Sequence, residues 1–232
     1  MPDLGSYNSM NVEMKMKKSM RAGKTLFLIV CFCVMGLTAC GEKTQESTGE
    51  EAAVSSISVN KDGSISSRIV EDFGESYYDA GGLKSMIESA IADYKGQDST
   101  AQVTLKKCEA SDGSVNVLME FADYKSYAGF NGENFFAGTI QAANQAGFDL
   151  NVTLQAVSDN ADLTSVSKPE LLGMGDNHIV IFEAAGTDGA EAQPMRINCF
   201  DEILYAGEGV VAVGKKSADV TVSGGYGMIV FK

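Results

Sequence analysis

His178 is the only histidine in the 232-residue chain, so any Ser-His-Asp triad or imidazole-held metal would have to be built around it. It follows Asp176 and Asn177 at the head of an apolar run, a placement that invites a general-base reading. A hydrolase needs several groups converging on one reacting atom, and only one candidate can be named here. No Gly-x-Ser-x-Gly elbow accompanies the histidine, so a packing or surface role is the expectation. Cys108 and Cys199 both lie in strand-like stretches. They can pair in an oxidising compartment, or they can serve as small buried thiols. No Cys-x-x-Cys is present to support thioredoxin-like chemistry or structural zinc. Asp159, Asn160 and Asp162 bring oxygens together but lack the Asp-x-Asp-x-Asp-Gly pattern with a distal glutamate, so a solvated loop is expected rather than a calcium site. The aromatics Phe73, Tyr77 and Tyr78, with their counterparts Tyr124, Tyr127 and Phe130, can line a groove or pack a helix on its sheet, and packing is the favoured reading. The expected roster is no catalytic residue, no cofactor and no metal.

A different thiol has a context that gives it chemistry. Five basic residues between positions 15 and 24 precede residues 26–35 (LFLIVCFCVM), an apolar run too short to span a bilayer comfortably. The run closes on Leu37-Thr38-Ala39-Cys40, followed by Gly41. This tetrapeptide resembles the lipobox of bacterial lipoproteins: a large apolar residue, two small ones, then a cysteine. The resemblance implies a diacylglyceryl group on the Cys40 sulfur and signal cleavage between Ala39 and Cys40. Two small residues suit a peptidase that must admit the backbone closely, and the thiolate is the nucleophile that a thioether requires. An ordinary secretory signal ending in a chance cysteine is the alternative. Residues 41–53 (GEKTQESTGEEAA) are polar and acidic, the composition of a flexible spacer.

Charge then bounds the partners. The chain has 18 basic and 31 acidic residues, of which five basic and two acidic belong to residues 1–39. That leaves 13 against 29 and a formal charge of −16 beyond the expected cleavage site. Such a domain repels phosphate backbones, so nucleic acid is excluded as an expected partner.

The elements that must position these residues announce themselves by alternation and turns. Residues 56–60 and 64–70 alternate around Lys61-Asp62-Gly63, and residues 103–108 and 115–121 around Ser111-Asp112-Gly113. Asp-Gly between alternating runs is a strong hairpin signal. A helix is expected after each hairpin. The first is capped by Asp79, carries Leu83, Met86, Ile87, Ala90, Ile91 and Tyr94 at helical spacing, and stops near Gly96. The second is expected from Asn131 to Gly147 through Phe135, Phe136, Ile140, Ala143 and Ala146. Steps of 50 to 51 residues between matching glycines and aspartates read as a ββα duplication. Strand candidates follow at 151–157, 178–184, 195–200, 203–205, 210–213, 220–222 and 228–231, with a loop over 161–175. Their close spacing predicts an antiparallel meander. The fold class expected is α+β: a signal over 1–39, a tether over 40–53, and one extracytoplasmic domain over 54–232.

Residues 57–94 (ISVNKDGSISSRIVEDFGESYYDAGGLKSMIESAIADY) and 202–216 (EILYAGEGVVAVGKK), set behind a leader and acidic tether, resemble small lipobox-anchored lipoproteins of clostridia-like Gram-positive bacteria. The resemblance implies a location, outside the cytoplasm and anchored to the cell membrane through a fatty-acylated (palmitate-type) Cys40, and carries over no catalytic residue. The expected function is a non-catalytic envelope module binding a protein, glycan or small ligand, with the bilayer engaged through Cys40. The alternative is an envelope hydrolase using His178. A transporter's substrate-binding protein is a weaker third, because 193 residues without βαβ lobes are few for a two-lobed clamp.

Overall fold

The computed structural model describes residues 54–157, 166–183, 195–220 and 226–232. Both Asp-Gly hairpins form. Strand β1 (Ser56–Val59) pairs antiparallel with β2 (Ile65–Asp72), and β3 (Val103–Ser111) with β4 (Ser114–Phe121). At the second turn Asp112 (φ 52°) and Gly113 (φ 76°) both adopt the left-handed region, the conformation of a two-residue turn that matches strand twist. At the first, Asp62 accepts from the Ser64 backbone N–H and hydroxyl.

Helix α1 (Ala80–Gln97) starts where expected: the Asp79 side chain accepts from Gly81 N–H. Its Ile87 and Ile91 are buried, and the helix passes Gly96 by one residue. The second helical expectation needs correction. Helix α2 (Tyr124–Asn131) lies earlier, capped by Asp123, whose carboxylate accepts from Ser126 N–H at 2.7 Å, and closed by Gly132 at φ 66°. Asn131 therefore ends a helix rather than opening one. Phe135–Thr139 is instead a strand, β5, and only Ile140–Gln145 is helical, as α3. The physical reason is burial on both sides. Phe135 and Phe136 are adjacent and point to opposite faces of a strand that is covered on both, which erases the alternation and leaves an apolar run readable as a helix. The ββα order repeats, with α1 after the first hairpin and α2 after the second, but α2 has 8 residues against 18 in α1 and starts directly after Asp123. Arg68 pairs directly with Leu118, its equivalent fifty residues on, so β2 and β4 meet about a local two-fold.

The remaining elements are β6 (Gln155–Ala156), α4 (Lys168–Gly173), β7 (His178–Glu183), β8 (Met195–Asn198), β9 (Ile203–Ala206), β10 (Val210–Ala212), β11 (Ser217–Val220) and β12 (Tyr226–Phe231). Three of these differ from expectation: the strand over 151–157 shrinks to two residues, the loop over 161–175 contains α4, and the strand expected at 220–222 lies earlier, as β11. Nor do the late strands form a meander of their own. They divide between a seven-stranded sheet, ordered β10-β11-β8-β1-β2-β4-β3, and a five-stranded sheet, ordered β5-β7-β12-β9-β6. The β1–β8 pair is parallel and joins the first described strand to residues about 140 further on; the other strand pairs described are antiparallel. The class is α+β.

Two cores result. One face of the larger sheet (Ile57, Ile65, Val117, Phe121) packs with α1 and α2 and with one face of the smaller sheet (Val180, Phe231). The other face of the smaller sheet (Ile179, Ile181, Val230) packs with Ile140 and Ala143 of α3 and Leu171 of α4. The second face of the larger sheet carries Ser58, Ser66, Arg68, Asn116, Arg196 and Asn198, consistent with a solvated side of an antiparallel sheet.

Candidate functional site

His178 opens β7 on the face turned toward the first core, opposite Phe231 of β12 and Thr139 of β5. Its ring stacks on Phe231 (centroids 5.4 Å apart, planes at 27°) and meets Phe200 edge-on at 4.8 Å. Nδ1 is buried without a hydrogen-bond partner. Burial holds the imidazole pKa below its ordinary value of 6.5, and no charged group adds to that shift. A catalytic imidazole needs an acceptor on one nitrogen to fix its tautomer and a nucleophile or water at the other. Here Nδ1 has no such acceptor, and the ring's close neighbours are two phenylalanines. The histidine serves as the third member of an aromatic cluster at the rim between the two sheets.

The two thiols are free. Cys108 lies on edge strand β3 and Cys199 just past β8, with β1, β2 and β4 between them. Four strand steps put them roughly 19 Å apart across the sheet, against the less than about 7 Å between Cα atoms that a disulfide spans. The pairing alternative is thereby removed. Burial pushes the Cys199 thiol up to about 12 and raises that of Cys108, so neither is a ready nucleophile at neutral pH.

The aromatic sets separate. Tyr127 and Phe130 are buried, and Tyr124 half-buried, in the packing of α2 against Phe121, Phe135 and Phe136. Close fit there extends to Gly129, where an added Cβ would lie 2.3 Å from the Tyr94 hydroxyl oxygen. The counterpart set is mixed: Phe73 is half-buried and packs against the first core, Tyr78 is half-buried and stacks on Phe73 at 4.8 Å, and Tyr77, edge-on to Tyr78 at 4.8 Å, is 74% exposed.

One buried polar pair left no mark in the sequence. The Tyr127 hydroxyl donates to Glu133 Oε2 at 3.2 Å. Burial drives the tyrosine pKa well up, with the nearby Glu133 charge adding to it, and burial raises Glu133 despite the hydrogen bond. Glu133 sits just past the helix-closing Gly132, where its spacing from any other acidic residue is uninformative. On the solvated sheet face Arg196 holds Asp219 with Nε–Oδ1 at 2.8 Å and Nη2–Oδ2 at 3.2 Å. Beside this pair, Ser217 donates to Asn198, and Asn198 to Ser58. An open groove beside α4 is lined by Asn151, Thr153, Val166 and Lys168. There Glu170 accepts from both the backbone and the hydroxyl of Ser167, a capping interaction that occupies the carboxylate.

Ala39, Cys40, Asp159, Asn160 and Asp162 lie outside the described residues. Among the described residues no group of His, Cys, Asp and Glu is arranged to hold a metal ion, and no helix is long and apolar enough to cross a membrane. Comparison with family models, with curated proteins and with solved structures found no match for the chain.

Proposed function

We propose that the chain is a lipid-anchored extracytoplasmic protein whose domain acts as a non-catalytic binding module in the cell envelope. The observation that carries this reading is Cys40, placed at the end of an apolar export-type run in Leu37-Thr38-Ala39-Cys40 and separated from the start of β1 by a short acidic stretch. The likeness to lipobox-anchored lipoproteins supports the same location. The domain's own geometry supports binding over turnover. Its one histidine is engaged by two phenylalanine rings, and its thiols are held protonated by burial. An envelope hydrolase centred on His178 has no geometric support from that surrounding.

Two experiments test the parts separately. Protease added to intact cells should degrade the domain if it faces outward, and protection until lysis would refute the location. The purified chain should be inert against broad ester, peptide and glycan panels. Turnover that disappears in His178→Ala, with the thermal melt unchanged, would install the hydrolase instead.

A further inference from the structure

The loop from β2 to α1 presents the exposed Tyr77, backed by the half-buried Tyr78 and Phe73, among carboxylates. Asp72 and Asp79 each have one oxygen bound to a backbone N–H (Gly74 and Gly81) and remain in solvent, and Glu75 is exposed between them. The chain has no lysine or arginine between Arg68 and Lys84. Phe73 N–H donates to Gly113 O at 2.7 Å, so the loop lies against the β3–β4 turn, which adds Asp112. Tyr77 is the most exposed large apolar side chain among the described residues, held in place by its edge contact to Tyr78.

The loop also sits at the end of the sheet where the chain arrives from Cys40. Ser55 Oγ bonds both the N–H and the carbonyl of Val70, at 2.9 and 3.1 Å, three residues before Phe73. An anchored domain therefore carries these rings on its tether side. Anionic lipid headgroups repel carboxylates just as they attract lysines, which disfavours the bilayer itself as the occupant. A second copy of a domain with formal charge −16 is repelled as well. An exposed ring in a loop that also carries exposed carboxylates is complementary to a cation. Guanidinium suits it best, because its plane stacks on the ring while its N–H groups reach the acids.

We propose that the Phe73–Tyr77–Tyr78 loop is a docking site for an arginine- or lysine-bearing extended segment of another envelope protein. This inference deepens the binding-module reading and rests on it.

The test uses the full chain in nonionic detergent with ring-labelled tyrosine, titrated with a ten-residue peptide alternating arginine and glycine, and with its glutamate counterpart. The arginine peptide should shift the Tyr77 ring resonance, and the glutamate peptide should not. Tyr77→Ala should weaken binding about two- to fivefold, the range of an exposed cation–π contact, and Glu75→Gln should weaken it too. Both positions are exposed, and unchanged melts confirm that the fold is intact. Unchanged affinity in Tyr77→Ala would assign binding to diffuse charge and overturn the proposal, and so would no binding at all. A Tyr77 shift with phosphatidylcholine vesicles but not with the peptide would assign the loop to the bilayer instead. Fatty acylation at Cys40 is read independently, so the docking site can fail while the anchored-module reading stands.

Discussion

Replacing His178 separates a structural ring from a catalytic one. Aromatic pairs contribute about 0.5–1.5 kcal/mol each beyond the area they bury, so loss of the contacts to Phe200 and Phe231 in His178→Ala should cost about 1–3 kcal/mol. His178→Phe keeps both contacts and removes the unpartnered Nδ1, a buried polar atom whose desolvation costs about 1–3 kcal/mol. The order of stability at pH 7 should be Phe at least equal to His, and both above Ala. The pH dependence adds a sign. Burial lowers the folded-state pKa below 6.5, so below that pH the unfolded chain binds the proton more readily than the folded one. The stability associated with the neutral ring is present above 6.5 and is lost as pH falls through the folded value. The advantage of His178→Phe over wild type should therefore widen on acidification from pH 7 to pH 5. Urea melts of the three proteins at pH 5, 6 and 7 measure it. A Phe variant less stable than wild type, with a gap that does not change with pH, would mean that Nδ1 has a polar partner and that the aromatic-cluster account is wrong.

Gly113→Val should destabilise by about 1–2 kcal/mol, the scale for a side chain forced to positive φ; the nearest atom to an added Cβ is Gly74 Cα at 3.8 Å, so strain rather than collision sets the cost. Denaturant melts that coincide with wild type would refute the turn assignment. Tyr127→Phe should cost about 1 kcal/mol at pH 7 by leaving the half-buried Glu133 carboxyl without its donor. Because the Glu133 pKa is raised in the folded state, the stability linked to its protonation is full below 4.5 and lost as pH rises through the folded value. Glu133→Gln should therefore gain on wild type between pH 4 and pH 7 in thermal melts, and a constant difference would contradict this.

Local signals carried far more of the fold than of the site. The hairpin turns and the Asp79 cap were legible because Asp-Gly and an aspartate before an amphipathic run act within a few residues. Residues 131–147 were not, because β5 is buried on both faces and its Phe135-Phe136 pair mimics half of a helical stripe. The parallel β1–β8 pairing was invisible because it joins residues about 140 apart, and alternation names no partner strand. For His178 the sequence left packing and surface roles open, and the rings it meets depended on the return of Phe200 and Phe231 from distant strands. The Tyr127–Glu133 pair has no local signature at all, since a glutamate's burial is decided by what folds over it.

The central claim turns on one atom, the Cys40 sulfur. Cells expressing the chain should be fed an alkyne-tagged palmitate, and the protein then isolated, click-labelled and its N-terminal peptide weighed. The account predicts label on wild type, a mature N-terminus at Cys40 with the mass of a diacylglyceryl thioether, and no label on Cys40→Ala, which should be released from membranes or left uncleaved. Equal labelling of Cys40→Ala, or an unmodified wild-type N-terminus at any other residue, would contradict it.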